Sequence, residues 1–220
     1  MKKSFLKELL DEEQIPEKDL IQNLKELAFI NTYLGGHAVI KKGLGYFQNK
    51  SEAVAILEIG SGGGDNLAAL KECFPHNSYT GLDMKSTCIN YSKNRYPAFN
   101  WILSDYQLFS PVYKFEVIFN SLFCHHFLDE ELIKMLKWMN ENSTKGFFIG
   151  DLHRNGIAYY AIKILTFLFS KSYLVKNDAP LSVARGFTKS EWRVLLEKAG
   201  IINYQIKWQW AFRWLIVVKK

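Results

Sequence analysis

The stretch EIGSGGGD at residues 58–65 decides the fold, and its glycines Gly60, Gly62 and Gly64 are spaced by two. A short apolar run, residues 53–59, leads into it, and a segment of helical spacing follows. The order strand, tight loop, helix is typical of a parallel α/β sheet. Glycines let the loop turn sharply and approach a ligand where any Cβ would collide. The stretch therefore predicts a ligand-binding turn at the carboxyl edge of the first strand.

The charges around this loop indicate which ligand it takes. Asp65 stands where a dinucleotide-binding fingerprint needs Gly or Ala, which argues against NAD and FAD. The methionyl end of S-adenosylmethionine carries an ammonium and a sulfonium. The acidic Glu58 beside the loop suits these positive charges better than it suits a pyrophosphate.

Two more acids follow the next two predicted strands. Asp83 ends the strand at 79–82, where a carboxylate can accept both ribose hydroxyls of a nucleoside. Asp105, within Ser104-Asp105-Tyr106, follows the strand at 100–103 and offers an acceptor for an adenine amino group. Glycines, Asp83 and Asp105 at three successive strand ends together predict one nucleoside site.

These segments resemble motifs of the class I S-adenosylmethionine-dependent methyltransferases. ILEIGSGGGDN is similar to their motif I, YTGLDM to the second motif and LSDYQLF to the third, and the resemblance covers about residues 54–150. It implies an α/β, Rossmann-like sheet of seven strands with the last strand reversed. It also implies S-adenosylmethionine as cofactor. The predicted cofactor-binding residues are Glu58, Gly60, Ser61, Gly62, Asp83, Met84, Ser104, Asp105, Tyr106 and Asn120.

The 220 residues are expected to form a single domain, because two full domains would each be small. Apolar positions spaced by three and four predict helices over residues 4–47, broken at Gly35-Gly36. We expect an N-terminal helical cap at 1–50, a cofactor-binding core at 51–150, a helical acceptor-pocket insertion after strand 5 at 151–190, and a C-terminal helix and strands at 191–220.

The later elements follow from the same patterns. The alternation of strands and helices indicates a parallel sheet. The predictions are strands at 115–120 and 146–150, helices at 129–142, 159–169 and 189–199, a loop containing Pro180 at 171–185, and final strands at 204–208 and 214–218.

His125 and His126 are the candidate catalytic bases, because they follow the fourth strand at the edge where the acceptor is expected. An imidazole titrates near neutrality and can take a proton from a phenol or an activated carbon. The alternative is that one histidine only packs against the next helix. His37 is a further candidate base from the N-terminal segment.

Arg154 is the third candidate catalytic residue, since it follows the fifth strand on the same edge. It would orient an acceptor oxygen or carboxylate, or else fasten a loop. No metal site is expected, because Cys124, His125, His126 and Asp129 cannot all point one way from a strand end.

Two sequence motifs of nucleic-acid methyltransferases are absent from the chain, which limits the possible methyl acceptors. No proline pair follows Asn120, as methylation of a base amino group would require, and Cys124 is not preceded by proline, as cytosine C5 chemistry would require. The flanks are similar to bacterial small-molecule methyltransferases associated with polyketide or quinone-like aromatics. We therefore expect methyl transfer to oxygen or carbon of a small lipophilic acceptor. The alternatives are an RNA methyltransferase and a cofactor-binding protein without transferase activity.

The net charge, the cysteines and the N-terminal segment indicate which partners and which cellular compartment to expect. The net charge is +6, but the basic residues are scattered, so no nucleic-acid partner is expected. Three cysteines without a CxxC pair indicate a reducing, cytoplasmic environment, and the N-terminus turns acidic before an apolar signal segment develops. The apolar run at 157–169 is too short to span a bilayer but suits peripheral contact with a membrane.

Overall fold

Seven strands form a central sheet in a computed structural model of the chain, which describes residues 1–12, 14–49 and 51–220. The strands are β1 Ala55–Ile59, β2 Ser78–Asp83, β3 Asn100–Leu103, β4 Phe115–Ser121, β5 Ser143–Leu152, β6 Tyr204–Gln209 and β7 Arg213–Lys219. Their order is β3-β2-β1-β4-β5-β7-β6. The first five pair in parallel, and β7 runs antiparallel to both β5 and β6. The predicted seven-stranded sheet with a reversed last strand is confirmed.

Eight α-helices surround the sheet in the described residues. They are α1 Glu17–Tyr33, α2 Gly36–Leu44, α3 Asp65–Cys73, α4 Ser86–Arg95, α5 Asp129–Asn142, α6 Gly156–Phe169, α7 Tyr173–Arg185 and α8 Lys189–Lys198. Two short 3-10 helices lie at Leu9–Asp11 and Cys124–His126. Helices α6 and α7 form the predicted helical insertion after β5.

The core divides into two layers because side chains alternate along each strand. In β4, Ile118 packs with α5 and α8 on one face of the sheet. Val117 and Phe119 pack with α2 and α3 on the other face, where the Phe119 ring stacks on Phe148 with centroids 4.8 Å apart. Both faces are thus covered, and the carboxyl edge of the parallel strands is left for ligands.

The N-terminal region is less helical than its spacing predicts. Of the predicted stretch at 4–47, the structure makes helices only at residues 9–11, in α1 and in α2, and Glu13 lies outside the described residues. Pro16 directly precedes α1. Because proline has no backbone N–H to donate to an earlier carbonyl, a helix that began further upstream would lose a hydrogen bond at this position. The predicted break at Gly35 is present, with φ +79° in the left-handed region.

The prediction of a loop at 171–185 is wrong, since the structure has helix α7 there with Pro180 inside it. Pro180 removes one backbone hydrogen bond, which disfavours a helix. Burial outweighs it, because Leu174, Val175 and Val183 are all at most 5% exposed. Ser172 also caps the helix by accepting a hydrogen bond from the Val175 N–H at 3.3 Å.

The side chain of Trp192 tests how strongly α8 is attached to the sheet. Trp192 is fully buried, and its ring centroid lies 4.5 Å from that of Phe187. We expect Trp192→Ala to lower the free energy of unfolding by about 3–5 kcal/mol, because the cavity left would not collapse fully. Urea unfolding followed by circular dichroism measures this. Val194→Ala on the same helix is the control, since Val194 is 48% exposed, and equal losses in the two variants would refute the expectation.

Candidate active site

The glycine loop is held close to the end of β2. The N–H groups of Gly60 and Ser61 both donate to the Leu82 carbonyl, at 2.8 and 3.0 Å, and the Gly62 N–H donates to Asp83 Oδ2 at 2.9 Å. Gly60 has φ +68°, and a Cβ there would lie 2.4 Å from the Phe123 ring. Only glycine fits this turn, which leaves the loop backbone open on the side of the ligand.

A cavity of about 610 Å³ lies above this loop and the ends of β2 and β3. That volume falls within the roughly 300–1,000 Å³ usual for small-molecule sites. Eight of the ten predicted cofactor residues line it: Gly60, Ser61, Gly62, Asp83, Met84, Ser104, Asp105 and Tyr106. These residues are far apart in the chain but meet at one edge of the sheet, because parallel strands end on the same side. We call this space the cofactor cavity.

The two predicted nucleoside acids are held by backbone N–H groups. Asp83 accepts from Gly62 N through Oδ2 and from Lys85 N through Oδ1, each at 2.9 Å. Burial raises the pKa of Asp83, although these N–H groups partly offset the effect. Asp105 accepts from Gln107 N at 2.9 Å. A carboxylate has about four acceptor positions, so Asp83 keeps capacity for two ribose hydroxyls.

Glu58 and Asn120 do not line the cofactor cavity, which corrects two of the sequence-based assignments. Glu58 is fully buried beneath the loop, where Asn66 Nδ2 donates to it at 2.7 Å. Burial raises the pKa of Glu58 well above its usual value. Asn120 lies on the α5 face of β4, where the Cys124 thiol donates to its Oδ1 at 3.3 Å.

A second cavity of about 250 Å³ lies beside the first. Its walls come from α1, α6, α7 and residues 210–213, and most are apolar. Leu10, Leu27, Leu122 and His126 line both cavities. The two spaces therefore meet at a boundary that includes one of the predicted catalytic histidines. We call the second space the apolar cavity.

The polar end of the apolar cavity is formed by His125, His126 and Glu8. His125 Nδ1 lies 2.7 Å from Asp151 Oδ1, and His126 Nδ1 lies 2.7 Å from Asp11 Oδ1. Burial alone would raise the pKa of each aspartate, but the adjacent histidines together with backbone hydrogen bonds outweigh burial, and the pKa is lowered in both. Both aspartates are thus ionised acceptors, and each orients one imidazole ring.

Glu8 faces both imidazoles from the N-terminal segment. It is 3% exposed and accepts a hydrogen bond from Ser182 Oγ at 2.9 Å. Burial raises the pKa of Glu8 to about 7, with His126 and Ser182 acting in the opposite direction. Arg185 supports the same region, because its Nε donates to the His125 carbonyl at 2.8 Å.

Sequence reasoning missed four residues of this cluster: Glu8, Asp11, Asp151 and Arg185. Asp151 carries a usable signal, since it stands near the end of a strand as Asp83 does. Glu8 and Asp11 carry none, because more than a hundred residues separate them from the histidines they contact. Their acidic character suggests a solvated surface until the tertiary fold buries them.

Arg154 fastens the chain after β5 to the start of α8, an arrangement that does not agree with its predicted catalytic role. Its NH1 donates to the Gly186 carbonyl at 2.8 Å, and its NH2 pairs with Glu191 Oε1 at 2.7 Å. Neither cavity is lined by it. His37 lines neither cavity. It contacts Oδ2 of Asp65, a residue that lines the cofactor cavity, at 2.8 Å and so joins α2 to α3.

A family model described as a methyltransferase domain matches residues 56–146. The matched segment runs from β1 into β5, and it contains the glycine loop, Asp83 and Asp105. Residues 56–146 are thus similar to a methyltransferase domain. No curated protein sequence matches the chain.

Solved structures agree with this family in fold. Human N-acetylserotonin methyltransferase in complex with S-adenosylmethionine has a TM-score of 0.67 and 15% identity, over 93% of this chain and 56% of that chain. The plantazolicin methyltransferase BpumL in complex with S-adenosylhomocysteine has a TM-score of 0.68 and 19% identity, over 92% of this chain and 95% of that chain. An O-methyltransferase family protein from Burkholderia thailandensis has a TM-score of 0.64 and 14% identity, over 90% of this chain and 58% of that chain.

This chain thus spans little more than half the length of the human and Burkholderia chains. The shared sheet confirms the predicted seven-stranded fold, and the family match agrees with the methyltransferase motifs of the sequence.

Asp83 tests the placement of the cofactor. We expect Asp83→Ala to weaken S-adenosylmethionine binding by about 1–3 kcal/mol, because ribose hydroxyls lose their acceptor and the Gly62 N–H is left unpaired. Calorimetric titration measures the change, with the exposed Glu130→Ala as control. An unchanged affinity would show that the ribose lies elsewhere.

Arg154 tests the distinction between a fastening and a catalytic role. We expect Arg154→Ala to lower the free energy of unfolding by about 1–3 kcal/mol, since the Gly186 carbonyl and Glu191 lose a charged partner. Affinity for S-adenosylmethionine should stay unchanged. Thermal unfolding and calorimetry together measure the two effects, and weaker cofactor binding at unchanged stability would contradict this assignment.

Proposed function

We propose that this methyltransferase domain transfers the methyl group of S-adenosylmethionine to oxygen or carbon of a small, lipophilic, aromatic or polyketide-like acceptor. One observation carries the proposal. The apolar cavity meets the cofactor cavity at a boundary formed by three leucines and His126. A methyl donor on one side and an apolar acceptor on the other would be in contact only there.

The residues at the strand ends fit S-adenosylmethionine. The loop from Gly60 to Gly63 is open to a close-lying ligand, and Ser61 Oγ is buried without a hydrogen-bond partner in the described residues. Asp83 would hold the ribose hydroxyls and Asp105 the adenine amino group, with the exposed Met84 against the ring. When bound, the cofactor supplies an electrophilic methyl group on a sulfonium.

The apolar cavity suits an acceptor with few polar groups. Its walls include Leu27, Ile30 and Leu34 from α1 and Ile162 and Leu165 from α6. The lining also includes the aromatic side chains of Trp210 and Phe212. A small cavity of about 250 Å³ with mostly apolar walls favours a small lipophilic molecule over RNA.

His125 and His126 mark where the reacting oxygen or carbon of the acceptor would lie. They are at the end of the apolar cavity that borders the cofactor cavity. Holding the acceptor there in line with the methyl group would supply most of the rate. An unionised hydroxyl must also lose its proton as the new bond forms, so the histidine cluster would take part at that step.

The structural neighbours add support at the level of ligand class. BpumL was solved with S-adenosylhomocysteine and a triazolic desmethylplantazolicin analogue, and the human neighbour with S-adenosylmethionine. The triazolic ligand of that neighbour supports an organic small molecule as the acceptor of this chain.

A lipophilic acceptor would be consistent with the predicted peripheral contact with a membrane, which stays a prediction. No helix in the described part of the chain is long and apolar enough to cross a membrane. Apolar side chains nevertheless protrude from α6, where Ile157, Phe167 and Phe169 are each more than 70% exposed. This face of α6 is where such contact would occur.

Ile162 tests the proposed acceptor cavity. We expect Ile162→Trp to fill the cavity and raise KM for the acceptor by about 10-fold or more, since the loss of a snug apolar contact costs about 1–3 kcal/mol. Affinity for S-adenosylmethionine should not change. The assay follows labelled methyl transfer from S-adenosylmethionine to a panel of alkyl-substituted phenols.

The matched control is Ile164→Trp, because Ile164 is on the same helix, 58% exposed and outside both cavities. Equal effects of the two variants would refute the cavity as the acceptor site. Cofactor binding with no transfer to any acceptor would favour a protein that binds S-adenosylmethionine without transferase activity. Salt-sensitive RNA binding with transfer to RNA would favour the RNA methyltransferase.

A further inference from the structure

We propose that Glu8, His125 and His126 bind one divalent transition-metal ion, with Zn²⁺ as the representative, at the boundary of the two cavities. One ligand atom from each of the three side chains lies within 4.8 Å of the other two. The proposal deepens the proposed function, on which its catalytic role rests. The binding of the ion itself depends only on these three residues.

The spacing of the three side chains suits an ion rather than hydrogen bonds between them. His125 Nε2 lies 3.5 Å from Glu8 Oε1, and His126 Nε2 lies 3.8 Å from Glu8 Oε2. Both distances are at or beyond the limit of a good N–H···O bond. Two ligand atoms that share a tetrahedral Zn²⁺ at about 2.1 Å lie about 3.4 Å apart. Small movements would therefore bring all three into coordination.

The orientation of the imidazoles is that of metal ligands. Asp151 and Asp11 each lie 2.7 Å from an Nδ1, which favours a proton there; in the neutral imidazole the lone pair is then on Nε2. Neither Nε2 has a hydrogen-bond partner in residues 1–12, 14–49 and 51–220. A carboxylate behind each metal-bound histidine is the usual second layer of a zinc site. Here both histidines have one.

The charge of the surroundings also favours a divalent cation. Four acidic and two guanidinium side chains lie around the two imidazoles or line the same cavity: Glu8, Asp11, Asp151, Asp178, Arg185 and Arg213. Counted formally, the four carboxyl and two guanidinium groups of this set sum to −2, a charge that one divalent ion would balance.

The open side of the ion would face the acceptor. Two histidines and one carboxylate leave at least one coordination position, as in catalytic zinc sites. All three residues line the apolar cavity, and His126 also lines the cofactor cavity. An acceptor oxygen bound at the open position would therefore lie next to the methyl group.

The ion would replace a general base at the transfer step. Coordination lowers the pKa of an acceptor hydroxyl, as it does for zinc-bound water, so the hydroxyl releases its proton to solvent. The acceptor oxygen then forms a bond to the methyl carbon as the carbon–sulfur bond breaks. The products are a methyl ether and S-adenosylhomocysteine, and nothing is oxidised or reduced. Without an ion, His126 would act as the base.

The test is metal titration of the full-length protein without a polyhistidine tag, after dialysis against a chelator and in the absence of acceptor. We expect one equivalent of Zn²⁺ to bind, with Co²⁺ in its place giving the visible absorption of a low-coordinate site, and Mg²⁺ not binding. Glu8→Gln should lower Zn²⁺ affinity by at least 10-fold. Asp11→Asn, which changes only the second layer, should lower it by about 10- to 100-fold.

His76→Gln is the matched control, because His76 is exposed and outside the cluster. Thermal unfolding shows that each variant is folded. The proposal is overturned if the wild type binds no Zn²⁺ at micromolar concentration, or if Glu8→Gln and His76→Gln lose affinity equally. Cofactor binding and methyl transfer are measured separately. A protein that binds Zn²⁺ but transfers methyl groups equally well after chelation would refute the catalytic role of the ion and keep the proposed function.

Discussion

The close contact between the glycine loop and the end of β2 is the constraint on which the rest of the site depends. Two loop N–H groups share the Leu82 carbonyl, and a third binds Asp83. Because Gly60 packs directly on the Phe123 ring, the same contact also positions the chain after β4. His125 and His126 follow Phe123 immediately, so the loop that would hold the cofactor also sets where the histidines lie.

The N-terminal segment completes what the sheet leaves open. Its first 3-10 helix is held by Asp178 of α7, which accepts from the N–H groups of Leu9 and Leu10 at 2.9 Å each. That attachment places Glu8 and Asp11 against the histidines. It also places Leu10 between the two cavities. The segment therefore contributes to the cofactor cavity, to the apolar cavity and to the histidine cluster at once.

Buried charge makes this arrangement specific. Glu8, Asp151 and Arg185 are each less than 9% exposed, and a buried charge without partners costs several kcal/mol. Each of them has at least one charged or hydrogen-bonded partner from a distant part of the chain. Alternative packings of the N-terminal segment would leave those charges unpaired. The cluster thus ties the segment to β4, β5 and α7 in one geometry.

The sequence by itself determined the class of the fold and most of the cofactor cavity. The glycines and Asp83 and Asp105 stand at strand ends, and parallel strands bring their carboxyl ends to one edge whatever the details of packing. Local patterns were enough for that reason. They failed at Glu58 and Asn120, whose side chains face the core because residues alternate along a strand. They failed at α7, where burial overrides the helix-breaking tendency of Pro180.

Only the tertiary structure decided the apolar cavity and the histidine cluster. Glu8 meets residues more than a hundred positions away, and nothing local in an acidic N-terminus predicts burial. Arg154 shows the reverse case, since its place at a strand end suggested chemistry but its partners are a carbonyl and Glu191. Which groups meet across long separations depends on packing free energy summed over the whole chain, and that sum is not visible in a short pattern of residues.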